Sequence, residues 1–269
     1  MRSMRRTQVI SFSSGKGGVG KSALVVNLAH CLARRGKRVL AVDGDWALGK
    51  LGILFGVRPL HTVVDVLRGK VALTGAITPV TRNLDLLAAP SGNPEMVELG
   101  EAVRNRLFYE LDSLDDGYDF LLMDHGSGAH WDALQFVAAA HQHIVMTTTE
   151  PTSYTDAYAI MKLLSTRYAL REFHLLVTQS RDRARTQAVG ARLHDLAASR
   201  LGVRVRHLEA CPWDSRVSES IIRRRAFVDL FPDSELASVM GRLAGGLGIE
   251  IRPSGKLSFF FEATNSYRG

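Results

Sequence analysis

Gly15-Lys16-Gly17-Gly18-Val19-Gly20-Lys21-Ser22 lies between an apolar run, Val9-Ile10-Ser11-Phe12, and the segment Ala23-Leu24-Val25-Val26-Asn27-Leu28-Ala29. The run before it reads as a strand, and the segment after it places apolar residues at helical spacing. Strand, glycine loop and helix N-terminus together make a phosphate cradle. Glycines let backbone N–H groups converge on an anion, and the helix start adds unpaired N–H groups and a favourable dipole. The spacing fits G-x-x-x-x-G-K-[ST], which assigns Lys21 to the terminal phosphates and Ser22 to Mg²⁺. Gly15, Gly17 and Gly20 also satisfy G-x-G-x-x-G, with Asp43 at a distance suited to a dinucleotide ribose. That reading leaves Lys21 and Ser22 without a task and has no use for Lys16. The triphosphate reading is preferred.

Working outward, apolar runs at 38–42, 84–88, 118–123, 143–146 and 173–177 read as further strands. Helical patterns cover 101–115, 132–140, 153–168, 184–200 and 234–247. Such alternation predicts an α/β fold: a mostly parallel twisted sheet with helices on both faces. Ligands in such sheets bind beyond the carboxyl ends of the strands. The acids Asp43, Asp45 and Asp124 fall at those ends, where a hard ion such as Mg²⁺ finds oxygen ligands. Asp124 follows Phe120-Leu121-Leu122-Met123 and precedes His125-Gly126-Ser127-Gly128, a segment suited to sensing a γ-phosphate. With water as nucleophile, one acid must orient the water and another support the metal.

The 269 residues and 46% apolar content suit one α/β domain, taken as 1–251, with a C-terminal tail at 252–269. Cys31 and Cys211 are far apart and form no metal-ligand pattern or disulfide framework. With no secretory signal and no spanning stretch of apolar residues, a cytoplasmic protein is expected. The formal charge of +7 is concentrated in residues 181–225, which hold eleven arginines, no lysine and five acids, a net +6. That region suits nucleic acid, an anionic membrane or an acidic partner, or is a solvated helix face.

Lys16, one residue inside the phosphate loop, makes the stretch resemble the deviant Walker A loop of the MinD/ParA group of P-loop ATPases, whose fold is of the MinD/SIMIBI type. Asp43-Gly44-Asp45-Trp46-Ala47-Leu48-Gly49-Lys50-Leu51 is similar to the corresponding segment of MinD and its flagellar relative FlhG (FleN, YlxH). The D-x-D-P-Q type run of partition ParA proteins is absent. Glu150-Pro151-Thr152-Ser153-Tyr154-Thr155-Asp156-Ala157-Tyr158-Ala159-Ile160-Met161-Lys162 resembles a run typical of FlhG.

The resemblance implies ATP or ADP with Mg²⁺ as ligands and slow, switch-type hydrolysis. Gly15 to Ser22 and Glu150 belong to the nucleotide site, and Gln179, Pro212 and Asp214 to its base pocket. Lys21 and Ser22 serve the subunit's own nucleotide, with Asp43 and Asp124 on the metal side. Asp45 positions the attacking water, and Lys16 reaches the nucleotide of a second subunit in an ATP-bound homodimer. Flagellar number or placement is the implied role. Partners would be flagellar assembly proteins: an FlhF-type GTPase, switch-complex components or a transcription regulator. The N-terminal motif used to stimulate that GTPase is absent.

Departures from the family pattern are Gln179 for Asn, His125 for Thr or Ser, and Lys50 for Asn. The tail, Gly255 to Glu262 with three phenylalanines, resembles the aromatic tail of FlhG proteins. It reads either as an anchor to the inner face of the cell membrane or as a segment folded back on the domain. Two other classes stand beside the leading reading. One is a nucleoid-binding positioning ATPase using the arginines on DNA, the other a scaffold that binds nucleotide without hydrolysing it.

Overall fold

A computed structural model describes residues 7–46, 48–92, 101–114, 117–128, 131–248 and 259, with backbone alone at 101–104 and 131–133. In chain order the first half runs β1 (Gln8–Ser14), α1 (Lys21–Arg34), β2 (Val39–Gly44), α2 (Leu51–Phe55), α3 (Val63–Leu67), α4 (Leu73–Ala76), β3 (Ile77–Thr81), β4 (Leu84–Leu87) and α5 (Glu101–Asp112). The second half runs β5 (Phe120–Ser127), α6 (Trp131–Ala139), β6 (Gln142–Thr147), α7 (Pro151–Tyr168), β7 (Glu172–Val177), α8 (Arg183–Leu201), β8 (Arg204–His207), α9 (Arg216–Ile222), α10 (Phe227–Leu230) and α11 (Glu235–Gly246).

The strands form one sheet in the order β3-β4-β2-β5-β1-β6-β7-β8, in which only the β3–β4 pair is antiparallel. Central strands are apolar on both faces because both are covered. Ile10 and Phe12 of β1 pack with α1 and α11, alongside Phe227. Val9, Leu40, Val42, Leu121 and Met123 point the other way, towards Leu107 and Phe136. At the β6–β7 end, Val145, Phe173 and Leu175 meet α7 and α8 through Ile160, Leu164 and Leu193.

Every strand and helix expected from periodicity is present, and two edge strands join them. β3 contains Pro79, tolerable because an edge strand leaves one row of N–H groups unpaired. β8 reads Arg-Val-Arg-His, in which only Val205 is buried, so its four residues carry little apolar signal. The short helices α2, α3, α4, α9 and α10 lie below the length at which helical spacing can be recognised.

The tail lies outside the described residues except at Phe259, and the expected boundary at 251 and 252 lies outside them too. Phe259 is buried, stacked on Phe108 with centroids 4.3 Å apart. Its N–H donates to the Ala139 carbonyl at 3.0 Å. His141 Nδ1 accepts the Val9 N–H at 3.0 Å, which leaves Nε2–H to donate to the Phe259 carbonyl at 3.1 Å. Among the described residues, no helix is long and apolar enough to cross a membrane.

β6 also buries His143, whose pKa is driven down to about 3, chiefly by desolvation. The unfolded chain takes up a proton near pH 6.5 and the folded chain does not. Its contribution is therefore full above pH 6.5 and lost as pH falls towards 3. Replacing His143 with Leu should remove this sensitivity. Between pH 6.5 and 5, urea unfolding should show the native protein losing about 2 kcal/mol more stability than the variant. Equal losses would refute the assignment.

Candidate functional site

The loop between β1 and α1 is held by its carbonyl groups. The Ser14 hydroxyl donates to the Lys16 carbonyl at 3.0 Å, the Thr178 hydroxyl to that of Val19 at 2.7 Å, and the Gln179 amide to that of Gly18 at 2.7 Å. Gly18 and Gly20 take left-handed φ values of +81° and +87°. Among the described residues, the N–H groups of Gly17, Gly18, Val19 and Gly20 find no acceptor. α1 then begins with no side-chain cap and no acid in its first turn. Donors left open on a loop and a helix start suit an anion with several oxygens, so the site fits a polyphosphate. Ser22 stands half-buried in the first turn of α1, beside the cradle.

Gly15 has a different task. A Cβ there would lie 2.3 Å from Asp156 Cβ and 2.7 Å from the Asp156 carbonyl. The start of α7 therefore rests directly on the loop. The Glu150–Lys162 run and the octapeptide are two halves of one site, a contact that no spacing in the sequence announces.

The two loop lysines point apart. Lys21 is buried, and its Nζ lies 2.6 Å from Asp124 Oδ1 and also bonds the His125 carbonyl. Lys16 stays at the rim, with Nζ 2.5 Å from Glu150 Oε2 and 3.5 Å from Thr152 Oγ1. The Lys16 ammonium holds the Glu150 carboxyl below the usual carboxylate range.

The three strand-end acids divide their work. Asp43 and Asp124 are register partners on β2 and β5, and both are buried. Asp43 accepts three backbone N–H bonds: Oδ2 from Lys50 at 2.7 Å and Leu51 at 2.9 Å, Oδ1 from Asp45 at 3.2 Å. Burial pushes its pKa up to about 7, against the pull of those donors. A carboxylate offers about four acceptor positions. Asp43, read from sequence as a metal-side acid, thus spends most of its capacity anchoring the chain that carries Asp45. Ser22 and Asp124, the latter bonded to Lys21 through Oδ1, are the other two residues expected from sequence on the Mg²⁺ side, and that ion needs few protein ligands because it keeps its waters.

Asp45 stands at the mouth of the site, its carboxylate carbon 3.6 Å from where a Cβ on Gly126 would sit. Its Oδ2 is 3.4 Å from Lys50 Nζ, the position where the family carries Asn. His125 replaces a hydroxyl residue and is buried, with neither ring nitrogen bonded to protein. Burial, then the nearby Lys21 charge, depress its pKa to about 3 and hold it neutral.

Gln179, Pro212 and Asp214 line one cavity of about 420 Å³ that begins at Gly18–Gly20 and is walled by Ala23, Leu24 and Val217. The three residues expected from sequence to hold the base are thus brought together at one cavity. Gln179 has φ +56°, a conformation in which asparagine is far more at home. Its side chain reaches Gly18, a span that the shorter residue would struggle to cover. Asp214 is held by Arg216, with bonds of 3.0 and 2.7 Å that lower its pKa. Sequence reasoning missed Thr178, which ties the loop to β7. It also missed Trp213, whose ring lies 3.8 Å under the Arg181 guanidinium. The signal for Trp213 was its place between Pro212 and Asp214.

Comparison with known proteins agrees with this geometry. Residues 7–171 match the family model described as an AAA domain. The antiactivator FleN of Pseudomonas aeruginosa is 31% identical over 97% of this chain and 95% of its own length. The flagellum site-determining protein YlxH of Helicobacter pylori is 27% identical over 94% of this chain and 88% of its own length. Among solved structures, the septum site-determining protein MinD of Pyrococcus horikoshii in complex with Mg-ADP superposes with a TM-score of 0.74 at 27% identity. The match covers 88% of this chain and 94% of that one. Whole-length likeness to FleN, on a chain whose phosphate loop keeps open donors beside a buried Lys21–Asp124 pair, shows that it belongs to the MinD/ParA family of deviant Walker A P-loop ATPases, which bind ATP and hydrolyse it.

Proposed function

We propose that this ATPase is a dimerisation switch that sets the number or placement of flagella. The observation that carries the switch is the divergence of its lysines. Lys21 turns into its own crevice, whereas Lys16 stands at the rim on Glu150 and Thr152. On this proposal the rim ammonium, beside the phosphate cradle, exchanges Glu150 for the nucleotide of a second copy. On this reading ATP joins two subunits and exposes the surfaces that partners recognise. Asp45, braced by Asp43 and facing Gly126, orients the attacking water. Hydrolysis then releases the dimer.

The flagellar role draws on likeness to FleN and YlxH along almost the whole chain. The partners proposed are flagellar assembly proteins, and the name antiactivator favours a transcription regulator among them. Contact with the inner face of the membrane belongs to the same proposal.

Two measurements test it. Lys16→Ala should bind ATP within a few-fold of the native affinity yet remain monomeric in light scattering with a slowly hydrolysed ATP analogue, while the native protein dimerises. A variant that still dimerises refutes the role of Lys16. Cells lacking the chain should show an altered flagellar count by electron microscopy, and an unchanged count refutes the flagellar role.

A further inference from the structure

If the cavity at Gln179, Pro212 and Asp214 holds the base, most of its polar side chains are already engaged by the protein itself. Asn27 donates to the Ala23 carbonyl at 2.7 Å and accepts the Val228 N–H at 2.9 Å. Thr178 donates to the Val19 carbonyl at 2.7 Å. Asp214 accepts three bonds from Arg216, one from its backbone N–H at 2.9 Å and two from its guanidinium at 3.0 and 2.7 Å. A carboxylate accepts about four. Cys211 and Trp213 direct their N–H groups to the Val177 and Ser180 carbonyls, and Pro212 has none. The Ser215 and Ser218 hydroxyls also line the cavity, but a hydroxyl donates or accepts with equal ease.

The decisive residue is Gln179. An amide recognises adenine by accepting from N6 and donating to N7 at once. Here the NH₂ of Gln179 goes to the Gly18 carbonyl at 2.7 Å, and Oε1 is left for a ligand. Asparagine, the residue expected from the family at this position, suits the left-handed φ of +56° better. It is one methylene shorter, however, and falls short of Gly18 from the same backbone. Glutamine therefore ties the cavity to the phosphate loop and gives up the paired adenine contact.

What remains to hold a base is mostly surface. Leu24, Val217, Ile221, Leu236 and Met240 supply aliphatic walls. Trp213 adds an indole that is 46% exposed, with the Arg181 guanidinium 3.8 Å from its ring centre. Such surfaces hold either purine, because every base has a face to stack. A pocket of this kind separates close analogues only about 10- to 200-fold, whereas dedicated hydrogen bonds reach about 10⁴- to 10⁵-fold.

We infer that this ATPase also accepts guanine nucleotides, and that Gln179 is the residue that relaxes its choice of base. Oε1 alone accepts from N6 of adenine or from N1 and N2 of guanine. The triphosphate is the same in both, so water converts GTP to GDP and phosphate by the course that ATP follows. The inference rests on the reading of this cavity as the base pocket, and it is independent of the flagellar role and of Lys16.

The test is displacement of a fluorescent ATP analogue from the full-length protein with Mg²⁺ by ATP, GTP and CTP, together with phosphate release from ATP and GTP. GTP should bind within about tenfold of ATP and be hydrolysed, and CTP, with its smaller ring, should bind more weakly than either. Gln179→Asn should raise the preference for ATP over GTP about tenfold, because the shorter amide leaves Gly18 and pairs with adenine. A residue that only braced the loop would shift both affinities together and leave their ratio alone. Trp213→Ala should weaken ATP and GTP alike, about tenfold.

Three results would overturn the inference and leave the base pocket standing. They are a native preference for ATP above about a thousandfold, GTP that binds without phosphate release while ATP is turned over, and a ratio unmoved by Gln179→Asn. Native affinity for both nucleotides in Trp213→Ala would instead overturn the placement of the base, and the inference with it.

Discussion

Lys21→Ala is expected to abolish nucleotide binding and also to destabilise the nucleotide-free protein by about 3–5 kcal/mol. The first effect follows from the loop, where Lys21 is the only cation buried in the cradle among the described residues. The second follows from Asp124, whose carboxylate is 2% exposed and bonded to Lys21 at 2.6 Å. Removing the ammonium leaves that charge buried and unpaired beside Asp43, its register partner on β2. Urea unfolding without nucleotide should show the loss, and titration with a fluorescent ATP analogue the absence of binding. Pairing Lys21→Met with Asp124→Leu should recover most of the lost stability without recovering nucleotide, since apolar isosteres replace buried ion pairs at little cost. If Lys21→Ala unfolds at the native urea concentration, the pair contributes nothing to the nucleotide-free fold. If Lys21 and Asp124 take the roles expected from sequence, the pair also constrains binding, because Lys21 would leave Asp124 to reach a phosphate and so free an acid for Mg²⁺.

Gly15→Ala should be nearly as damaging, and Gly17→Ala should not, although both glycines are in the same loop. At Gly15 the added methyl meets Asp156 Cβ at 2.3 Å and the Asp156 carbonyl at 2.7 Å. These are parts of a helix start, not the far end of a flexible side chain, so α7 or the loop must move. Overpacking of this kind costs about 1–3 kcal/mol, and the displaced cradle should bind ATP at least about tenfold more weakly. At Gly17 the nearest atom to an added methyl is Ser127 Oγ at 3.5 Å, an ordinary contact. Its variant should unfold within about 0.5 kcal/mol of the native protein. Equal stability of the two variants would show that the start of α7 yields without cost.

Much of the site was legible because its chemistry is local. Gly15 to Ser22 is contiguous, and its glycines, lysine and serine each have a task defined by the next few residues. Asp124 could be placed because a buried parallel strand is an unbroken apolar run, and its end is visible. Legibility stopped where a role depends on a neighbour distant in sequence. Asp43 could be read as a strand-end acid, but only the return of the chain at Lys50 and Leu51 shows that it also anchors the loop that carries Asp45. β8 was invisible because an edge strand of four residues buries too little to leave a pattern. The stacking of Phe259 on Phe108 likewise joins residues far apart in the chain, which no local pattern announces.

By itself, the sequence determined a phosphate loop, a parallel α/β sheet and the strand ends where acids collect. Backbone donors, glycine conformations and alternating apolar runs act over a few residues and are written in order along the chain. Tertiary structure alone decided which lysine faces inward and what Gly15 makes room for. Those depend on groups brought together across the sheet, such as Lys21 and Asp124, which lie 103 positions apart. Packing and electrostatics at that range follow from the whole fold, and no local pattern encodes them.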